Sequence, residues 1–345
     1  MEELVKKALQ EAAALKKLPD AVPWKADAPW PQPCHVWSDK NEWESVKLPA
    51  DQSTRKAASG GITSLAVYTW NIDAMLPFPE KRMEGGLAHL EELSKPLFSD
   101  SATAVVVFLQ ECVRSDLDTI AQNQWVRERF YVTDVDDAHW ASGAYGTTTL
   151  VDRRLDLSSC FRVHYSMTNM ERDGLFVDVD VSGKTIRLCN THLESMVPVP
   201  PLRPPQMKLL AEHLHSDKVS AAVVAGDFNA VQPEDETLHT DNNLKDAYLE
   251  LGGQEASADE GYTWGQQAHP ALRERFGCSR MDKVFYRGEG GFKLQSLERF
   301  GDDVVVGASD KAESDGILAL GFPKAWITDH LGLKAVFTVG SDHRL

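Results

Sequence analysis

Short apolar runs alternate with longer segments of helical spacing along the chain from about residue 60 onward. Seven of the runs predict β-strands, and three of the segments predict helices. The strands are predicted at 62–69, 104–109, 174–181, 185–189, 221–225, 284–286 and 333–339, and the helices at 86–97, 115–130 and 205–215. Some runs alternate apolar with polar residues and others are apolar throughout, which favours layered sheets with outer helices over a purely parallel sheet.

The residues up to about position 54 have a different composition and a different spacing of apolar positions. Apolar residues recur at helical spacing between Leu4 and Leu15, and a Pro- and Trp-rich stretch follows between Pro23 and Trp43. Proline excludes a regular helix or a central strand there. We therefore predict two regions: residues 1–54, an N-terminal helix and an extension packed on the main domain with its indoles buried, and residues 55–345, one catalytic domain. A partner-docking arm is the alternative role for the extension.

Composition limits the class of protein. Hydrophobic residues make up 42% of the 345 residues and charged residues 26%, which excludes wholesale disorder. There is no run of about 18 apolar residues, and the first residues are amphipathic, so neither a membrane span nor a secretory signal is expected. The five cysteines form no CxxC pair, which favours a reducing compartment, nuclear or cytoplasmic. The net charge of −16 disfavours non-specific adhesion to nucleic acid.

Polar side chains follow several of the predicted strands, at or just beyond the point where each apolar run ends. These residues are Asn71, Asp73, Gln110, Glu111, Asn190, His192, Asp227, Asn229, Asp329 and His330. Each one alone is typical of a turn residue or a helix cap. As a set they contain only amides, carboxylates and imidazoles, so we expect them to converge on one cleft.

Oxygen ligands without a cysteine cage suit a hard cation such as Mg²⁺, and this chemistry points to phosphoester hydrolysis. In this interpretation Glu111 holds the metal and Asp227 orients or deprotonates the attacking water. Asn229 and His330 donate to phosphate oxygens. The sequence has no GxxxxGK[ST], GxGxxG, GxSxG or HExxH motif, so nucleotide-driven transfer, dinucleotide redox chemistry, serine hydrolysis and zinc proteolysis lack support.

Six sequence blocks resemble the endonuclease/exonuclease/phosphatase family, and within it the tyrosyl-DNA phosphodiesterases. The blocks are TWNID at 69–73, QE at 110–111, THLES at 191–195, GDFN at 226–229, SRMDKVFY at 279–286 and TDH at 328–330. The resemblance implies a four-layer α/β sandwich in which two facing mixed sheets are flanked by helices. It also implies metal-assisted attack of water on a phosphoester at a nucleic-acid 5′ end, such as a 5′-phosphotyrosyl adduct between DNA and protein.

The resemblance implies a role for each matching residue. Mg²⁺, with Mn²⁺ as an alternative, would be held by Glu111, with Asn71 beside the metal and phosphate and Asp329 in the metal-side network. The implied catalytic residues are Asn71, Asp227, Asn229, Asp282 and His330, with Asp282 orienting His330. The implied substrate contacts are Asn190, His192, Ser195 and Trp264. A core position for the Trp264 indole is the alternative.

Two departures from the tyrosyl-DNA enzymes concern the substrate. Val231 stands where those enzymes carry an arginine that contacts DNA, and the segment after THLES reads MVPVPPLRPP at 196–205. Loss of an arginine removes a bidentate phosphate contact. A small phosphoester of the inositol phosphate or sphingomyelin type therefore stays open as the substrate, and so does an inactive sandwich used as a binding module. We expect a monomer whose partner is the substrate itself.

Overall fold

The computed structural model describes residues 14–18, 21–48, 61–255, 260–288 and 291–340. The strands of this part of the chain are β1 Pro29–Pro31, β2 His35–Trp37, β3 Trp43–Ser45, β4 Ser64–Asn71, β5 Thr103–Cys112, β6 Phe130–Val132, β7 Gly146–Asp152, β8 Asp156–His164, β9 Asp173–Val181, β10 Lys184–His192, β11 Ala221–Asp227, β12 Lys245–Asp246, β13 Asp282–Gly288, β14 Phe292–Phe300 and β15 Gly332–Val339. Its α-helices are α1 Pro79–Ser99, α2 Arg114–Gln122, α3 Gln124–Arg129, α4 Arg203–Leu214, α5 Ala247–Glu250, α6 Pro270–Phe276 and α7 Lys311–Ala319.

The strands form two mixed sheets. Sheet A has the order β1-β8-β9-β10-β11-β13-β12, and sheet B has the order β14-β15-β4-β5-β7-β6-β2-β3. In sheet A the pair β10 and β11 is parallel, and in sheet B the pair β4 and β5 is parallel. The remaining neighbours in both sheets are antiparallel.

Apolar side chains on alternate positions of the central strands build a layered core. On β4, Leu65 and Val67 belong to the cluster between the sheets, whereas Ala66, Tyr68 and Trp70 belong to a second cluster under the outer helices of sheet B. A third cluster lies between sheet A and α4. A strand buried on both faces is apolar throughout, which explains the continuous runs in the sequence. The predicted four-layer α/β sandwich is confirmed.

Some elements differ from the prediction. The helix predicted over 115–130 is two helices, because Asn123 adopts an extended conformation and its side chain accepts from the backbone N–H of Val126 to start α3. The strands β7, β8 and β14 were not predicted. β7 is rich in threonine, and β8 carries the buried Arg162, so neither contains a long apolar run.

Residues 21–48 run along the edges of both sheets. β1 pairs with β8 of sheet A, and β2 and β3 extend the edge of sheet B. The Trp24 indole is buried and stacks on the His164 ring at 4.0 Å between centroids, while Trp30, Trp37 and Trp43 are half-buried. The first thirteen residues, which include most of the predicted N-terminal helix, and the predicted boundary at 54/55 lie outside the described residues, so the domain division stays a prediction. Among the described residues no helix has the length and apolarity that a membrane crossing requires.

Candidate active site

The strand ends meet at one edge of the sandwich, between the two sheets. The ends of β4, β5, β10 and β11 lie beside the starts of β13 and β15, because the strands of the second set run antiparallel to their neighbours. Within sheet A, Asp227 is in register with both His192 and Asp282. The sheets are joined here by the Asn71 amide, whose Nδ2 donates to Asp227 Oδ2 at 3.0 Å. Residues separated by more than 150 positions in the sequence therefore share one cleft.

Glu111 points into this cleft because β5 contains a bulge. The register between β5 and β7 shifts between Leu109 and Cys112, so β5 has one extra residue there. Glu111 itself has φ 57°, a left-handed conformation that is costly for a residue with a Cβ. Its Oε2 accepts from the backbone N–H of Ala74 at 2.9 Å, which fixes the carboxylate next to the loop after β4.

Asp227 is fixed by the tight turn of the GDFN block. Asp227 Oδ1 accepts from the backbone N–H of Asn229 at 2.8 Å, and Asn229 has φ 48°. Gly226 has φ 150°, and a Cβ there would lie 1.7 Å from the carbonyl oxygen of Thr191 on β10. Only glycine fits at this position, so the block needs Gly226 to bring Asp227 and His192 side by side.

His330 is held as a cation by two carboxylates. Its Nδ1 donates to Asp282 Oδ2 at 2.8 Å, and its Nε2 lies 3.7 Å from Asp227 Oδ2. Burial acts to lower the pKa of His330, but Asp282 and Asp227 outweigh it and hold that pKa well above the ordinary value. Burial also raises the pKa of Asp282 to about 6, although the His330 charge opposes it. For Asp227, burial acts to raise the pKa, but His330 and His192 outweigh it and the pKa is lowered.

His192 lies between Asp227 and Glu111. Its Nε2 is 3.3 Å from Asp227 Oδ2 and 3.7 Å from Glu111 Oε1. Its Nδ1 accepts from Nη1 of the buried Arg172 at 2.5 Å. Since arginine stays protonated, this bond makes Nδ1 an acceptor and leaves the imidazole proton on Nε2, facing the carboxylates. Burial and the Arg172 charge both lower the pKa of His192, so the ring is neutral.

A second group of carboxylates lies beside this centre. Asp329 Oδ2 accepts from the Trp264 indole N–H at 2.7 Å, and Asp329 Oδ1 lies 3.8 Å from His330 Nε2. Burial raises the pKa of Asp329, and burial together with the Asp329 charge raises the pKa of Asp73 to about 8. Trp264 is only 8% exposed, so its clearest contact in this structure is to Asp329. Its contact with substrate stays a prediction.

Two of the residues predicted to contact the substrate have hydrogen-bond partners within the protein. Asn190 lies between the sheets with no exposed surface, and its amide bonds to Gln110, Thr148, Thr149 and the Leu109 carbonyl. These bonds use its donors and its acceptor, so Asn190 joins the sheets and does not face the cleft. Ser195 is half-buried at the rim, where its Oγ accepts from Arg172 Nη2 at 2.7 Å.

Three supporting residues were missed in the sequence. Arg82 is fully buried and donates to five backbone carbonyls, which include those of Asp73 and Ile327, so it ties the loop after β4 to the loop before β15. Arg172 orients His192, and Thr328 Oγ1 donates to the Asn71 carbonyl at 2.7 Å. Arg82 had one signal, since it precedes the buried face of α1 at Met83, Gly86 and Leu87. Thr328 belongs to the TDH block at 328–330, although no role was expected for it, and Arg172 had no signal.

The donor atoms fit a hard divalent cation. One donor atom each from Glu111, His192 and Asp227 lies within 4.8 Å of the others, and the same holds for Asp227, Asp282 and His330. His330 is protonated and Asp282 bonds to it, so the first set offers the better ligands. Within that set the candidates are the carboxylates of Glu111 and Asp227, because His192 accepts from Arg172 at Nδ1 and carries its proton on Nε2. Asp282 Oδ1 and Gln110 Oε1 are also buried without a hydrogen-bond partner. Buried carboxylates in this number need a compensating charge, which a divalent cation supplies.

Comparisons with known proteins give the family of the chain. The endonuclease/exonuclease/phosphatase family model matches residues 68–343. Tyrosyl-DNA phosphodiesterase 2 of Homo sapiens is 28% identical over 262 residues, which are 74% of this chain and 66% of the relative. The 5′-tyrosyl-DNA phosphodiesterase of Caenorhabditis elegans is 24% identical over 253 residues, 69% of this chain and 64% of the relative. These alignments span less than two thirds of each curated relative.

Solved structures show the same fold. The structure of D. rerio TDP2 with a single-strand DNA product superposes with a TM-score of 0.59 at 18% identity, over 80% of this chain and 99% of that one. The human nocturnin catalytic domain superposes with a TM-score of 0.51 at 18% identity, over 81% and 94%. The family match spans most of the chain, and the six blocks lie at one sheet edge. The chain belongs to the endonuclease/exonuclease/phosphatase family.

Proposed function

We propose that this protein is a divalent-cation-dependent phosphodiesterase that hydrolyses a 5′-phosphotyrosyl bond at a nucleic-acid end, in the repair of protein–DNA adducts. The observation that carries the proposal is the pairing of ionised Asp227 with protonated His330 beside Glu111. Asp227 is the anion that orients a water, and His330 is the cation that contacts a phosphoryl oxygen. Glu111 is the carboxylate that binds a metal. Family membership and the similarity to tyrosyl-DNA phosphodiesterases support the same reaction.

We assign the steps to this chain's residues as follows. Asp227 orients the attacking water, and its lowered pKa makes orientation, rather than strong proton abstraction, its main contribution. The Asn71 amide holds Asp227 in place and lies beside the phosphate, and Asn229 shapes the same turn. His330 donates from Nε2 to a phosphoryl oxygen as negative charge develops, while Asp282 keeps it protonated.

Glu111 would hold the cation, with Asp227 as the nearest further ligand and Asp329 on the metal side. The bound cation supplies positive charge to the phosphoryl oxygens and to the leaving oxygen. We propose Mg²⁺, with Mn²⁺ as a substitute, because the available ligands are mainly carboxylate and amide oxygens.

A tyrosyl leaving group suits these residues. The phenol of tyrosine has a pKa of about 10, so its oxygen departs without a strong general acid, and we assign no such acid to the leaving side. The flank of the cleft next to Trp264 suits the nucleic acid, because the exposed α6 residues Arg273, Arg275 and Phe276 combine cations with an aromatic ring.

We also propose that residues 1–54 form an extension packed on the catalytic domain of residues 55–345. The support is that β1, β2 and β3 pair with strands of the main sheets. On this basis the extension belongs to the folded unit.

The test is cleavage of an oligonucleotide that carries a 5′-phosphotyrosine. We expect release of tyrosine with Mg²⁺, no release in EDTA, and no release by Asp227→Asn. Inositol phosphates and sphingomyelin are assayed in parallel. Faster cleavage of either small phosphoester would assign the site to that substrate, and failure on every substrate with intact folding would make the protein a binding module.

A further inference from the structure

An exposed apolar surface borders the catalytic cleft on the side of α4. Its members are Met167, Met196, Val197, Val199 and Val231, which are 44%, 57%, 53%, 95% and 39% exposed. We call these five residues the apolar rim. Met196 follows Ser195, which contacts Arg172, and Val231 comes two residues after Asn229. Met196 and Val231 therefore connect the rim along the chain to the proposed site.

A buried polar frame holds the rim in place. Arg203 donates to the carbonyls of Glu194 and Met196 and pairs with Asp235, which in turn accepts from the backbone N–H of Val231. Gln206 Nε2 donates to the Met167 carbonyl at 2.8 Å, and its Oε1 accepts from the N–H of Glu194. Arg203, Gln206 and Asp235 are each at most 3% exposed. These three buried polar residues therefore hold the backbone in a position that exposes apolar side chains to solvent.

The charge around the rim disfavours nucleic acid as its occupant. Residues 195–202 and 228–232 contain no charged side chain, and Glu234 and Glu236 next to them are exposed. Phosphates need cations, and nucleobases are usually held by aromatic rings, which the rim does not have. Methionine and valine beside acidic groups fit a polypeptide with apolar and basic side chains.

The flank of the cleft that carries the apolar rim and the flank next to Trp264 belong to different layers of the sandwich. Met196 and Val231 are attached to α4, which packs outside sheet A. Trp264 contacts Phe276 of α6, and His269, which precedes α6, packs against Phe322 in the cluster outside sheet B. A substrate that joins a nucleic acid to a polypeptide has two parts of opposite character, and the two flanks match them.

We infer that the apolar rim binds the polypeptide part of the adduct, as an extended segment with apolar and basic residues on one side of the linked tyrosine. This inference rests on the proposed function and specifies its substrate. It implies that a tyrosine within such a peptide is a better substrate than a tyrosine alone.

The experiment compares the cleavage of two substrates by this chain. Both are the same 5′-phosphotyrosyl oligonucleotide, one with a single tyrosine amide and one with the tyrosine inside a ten-residue peptide of Leu, Val and Lys. We expect the peptide substrate to have a kcat/KM higher by about tenfold, the effect of burying roughly one valine side chain. The double variant Val197→Ser with Val199→Ser should bring the ratio of the two kcat/KM values close to one, whereas Leu318→Ser, an exposed apolar residue on α7, should keep it.

The outcomes separate the inference from the proposed function. Equal kcat/KM for the two substrates in the wild type, or an unchanged ratio in the double variant, overturns the inference and leaves the function standing. No cleavage of either substrate overturns the proposed function and the inference with it. If the ratio is one and the wild type binds phosphatidylcholine vesicles more strongly than the double variant does, the rim faces lipid instead.

Discussion

Among the described residues, two of the buried polar clusters compensate their buried charge in opposite ways. One surrounds Arg162, which pairs with Asp173 and Asp134 at 2.9 and 3.0 Å and bonds to Gln32 and Thr147. The other is the candidate active site. The Arg162 cluster has a partner for each of the guanidinium nitrogens, so it needs nothing from outside the protein.

The candidate site contains more carboxylates than the nearby cations can neutralise. Its carboxylates are Asp73, Glu111, Asp227, Asp282 and Asp329. The protonated His330 and the buried Arg172 and Arg82 offset them in part, but Arg82 donates only to backbone carbonyls and Arg172 to His192, Ser195 and Met170. Burial first, and then the charges of the nearby Asp329 and Glu111, raise the pKa of Asp73 to about 8. A satisfied cluster stabilises the fold, whereas an unsatisfied one is poised to bind a cation and act on a substrate.

The largest difference between the clusters should appear in catalysis. Asp227→Asn is expected to lower kcat by about 10³-fold, because the water loses its anionic partner and His330 loses a counter-charge. Steady-state cleavage of the phosphotyrosyl oligonucleotide measures this, and circular dichroism checks the fold. Asp180→Asn, a change on β9 away from the cleft, is the control. A loss below tenfold would remove Asp227 from the chemistry.

Breaking the Arg162 cluster should instead reduce stability. Arg162→Met leaves Asp134 and Asp173 buried without their cation, and we expect the free energy of unfolding to fall by about 3–5 kcal/mol. Urea denaturation followed by tryptophan fluorescence gives this value. Arg114→Met, whose ion pairs are exposed, should change it by less than about 1 kcal/mol. A small effect of Arg162→Met would mean that this cluster is not structural.

Asp73→Asn should raise the stability of the protein at alkaline pH, whereas Arg162→Met should lower its stability. The folded-state pKa of Asp73 is raised, so its contribution to stability is present at low pH and is lost as the pH rises through about 8. In EDTA at pH 8.5 the variant should therefore have a higher Tm than the wild type, since the amide still accepts from Met75 and Leu76. Scanning fluorimetry at pH 5 and 8.5 tests this. A lower Tm at both pH values would contradict the crowding account.

Asp282→Asn should shift the pH dependence of kcat. Asp282 helps to raise the pKa of His330, and without that carboxylate the burial of His330 acts to lower it. Since His330 must be protonated to donate, activity is lost as the pH rises through its pKa, and the loss should begin at lower pH in the variant. We expect a shift of about one pH unit or more in the alkaline limb. An unshifted profile with reduced kcat would show that Asp282 only fixes the position of the ring.

The sequence was enough to predict the layers and the strands that carry the site. β4, β5 and β11 are buried on both faces, so their apolar runs stand out, and each ends in a polar residue where the core stops. β8 and β7 were missed because the buried Arg162 and threonines interrupt the pattern. The sequence could not show Arg82 or Arg172 as supports, since their partners lie on loops or strands brought near only by folding. The apolar rim was visible as MVPVPP, but its exposure was not.

The central claim is that the carboxylate cluster exists to bind a divalent cation through Glu111. Isothermal titration calorimetry with Mn²⁺ on the chelator-treated protein tests it most directly, with Glu111→Gln and the exposed Glu128→Gln as matched variants. We expect saturable binding to the wild type and to Glu128→Gln, and binding weaker by at least about tenfold in Glu111→Gln. Equal binding to all three proteins, or to none of them, would contradict it.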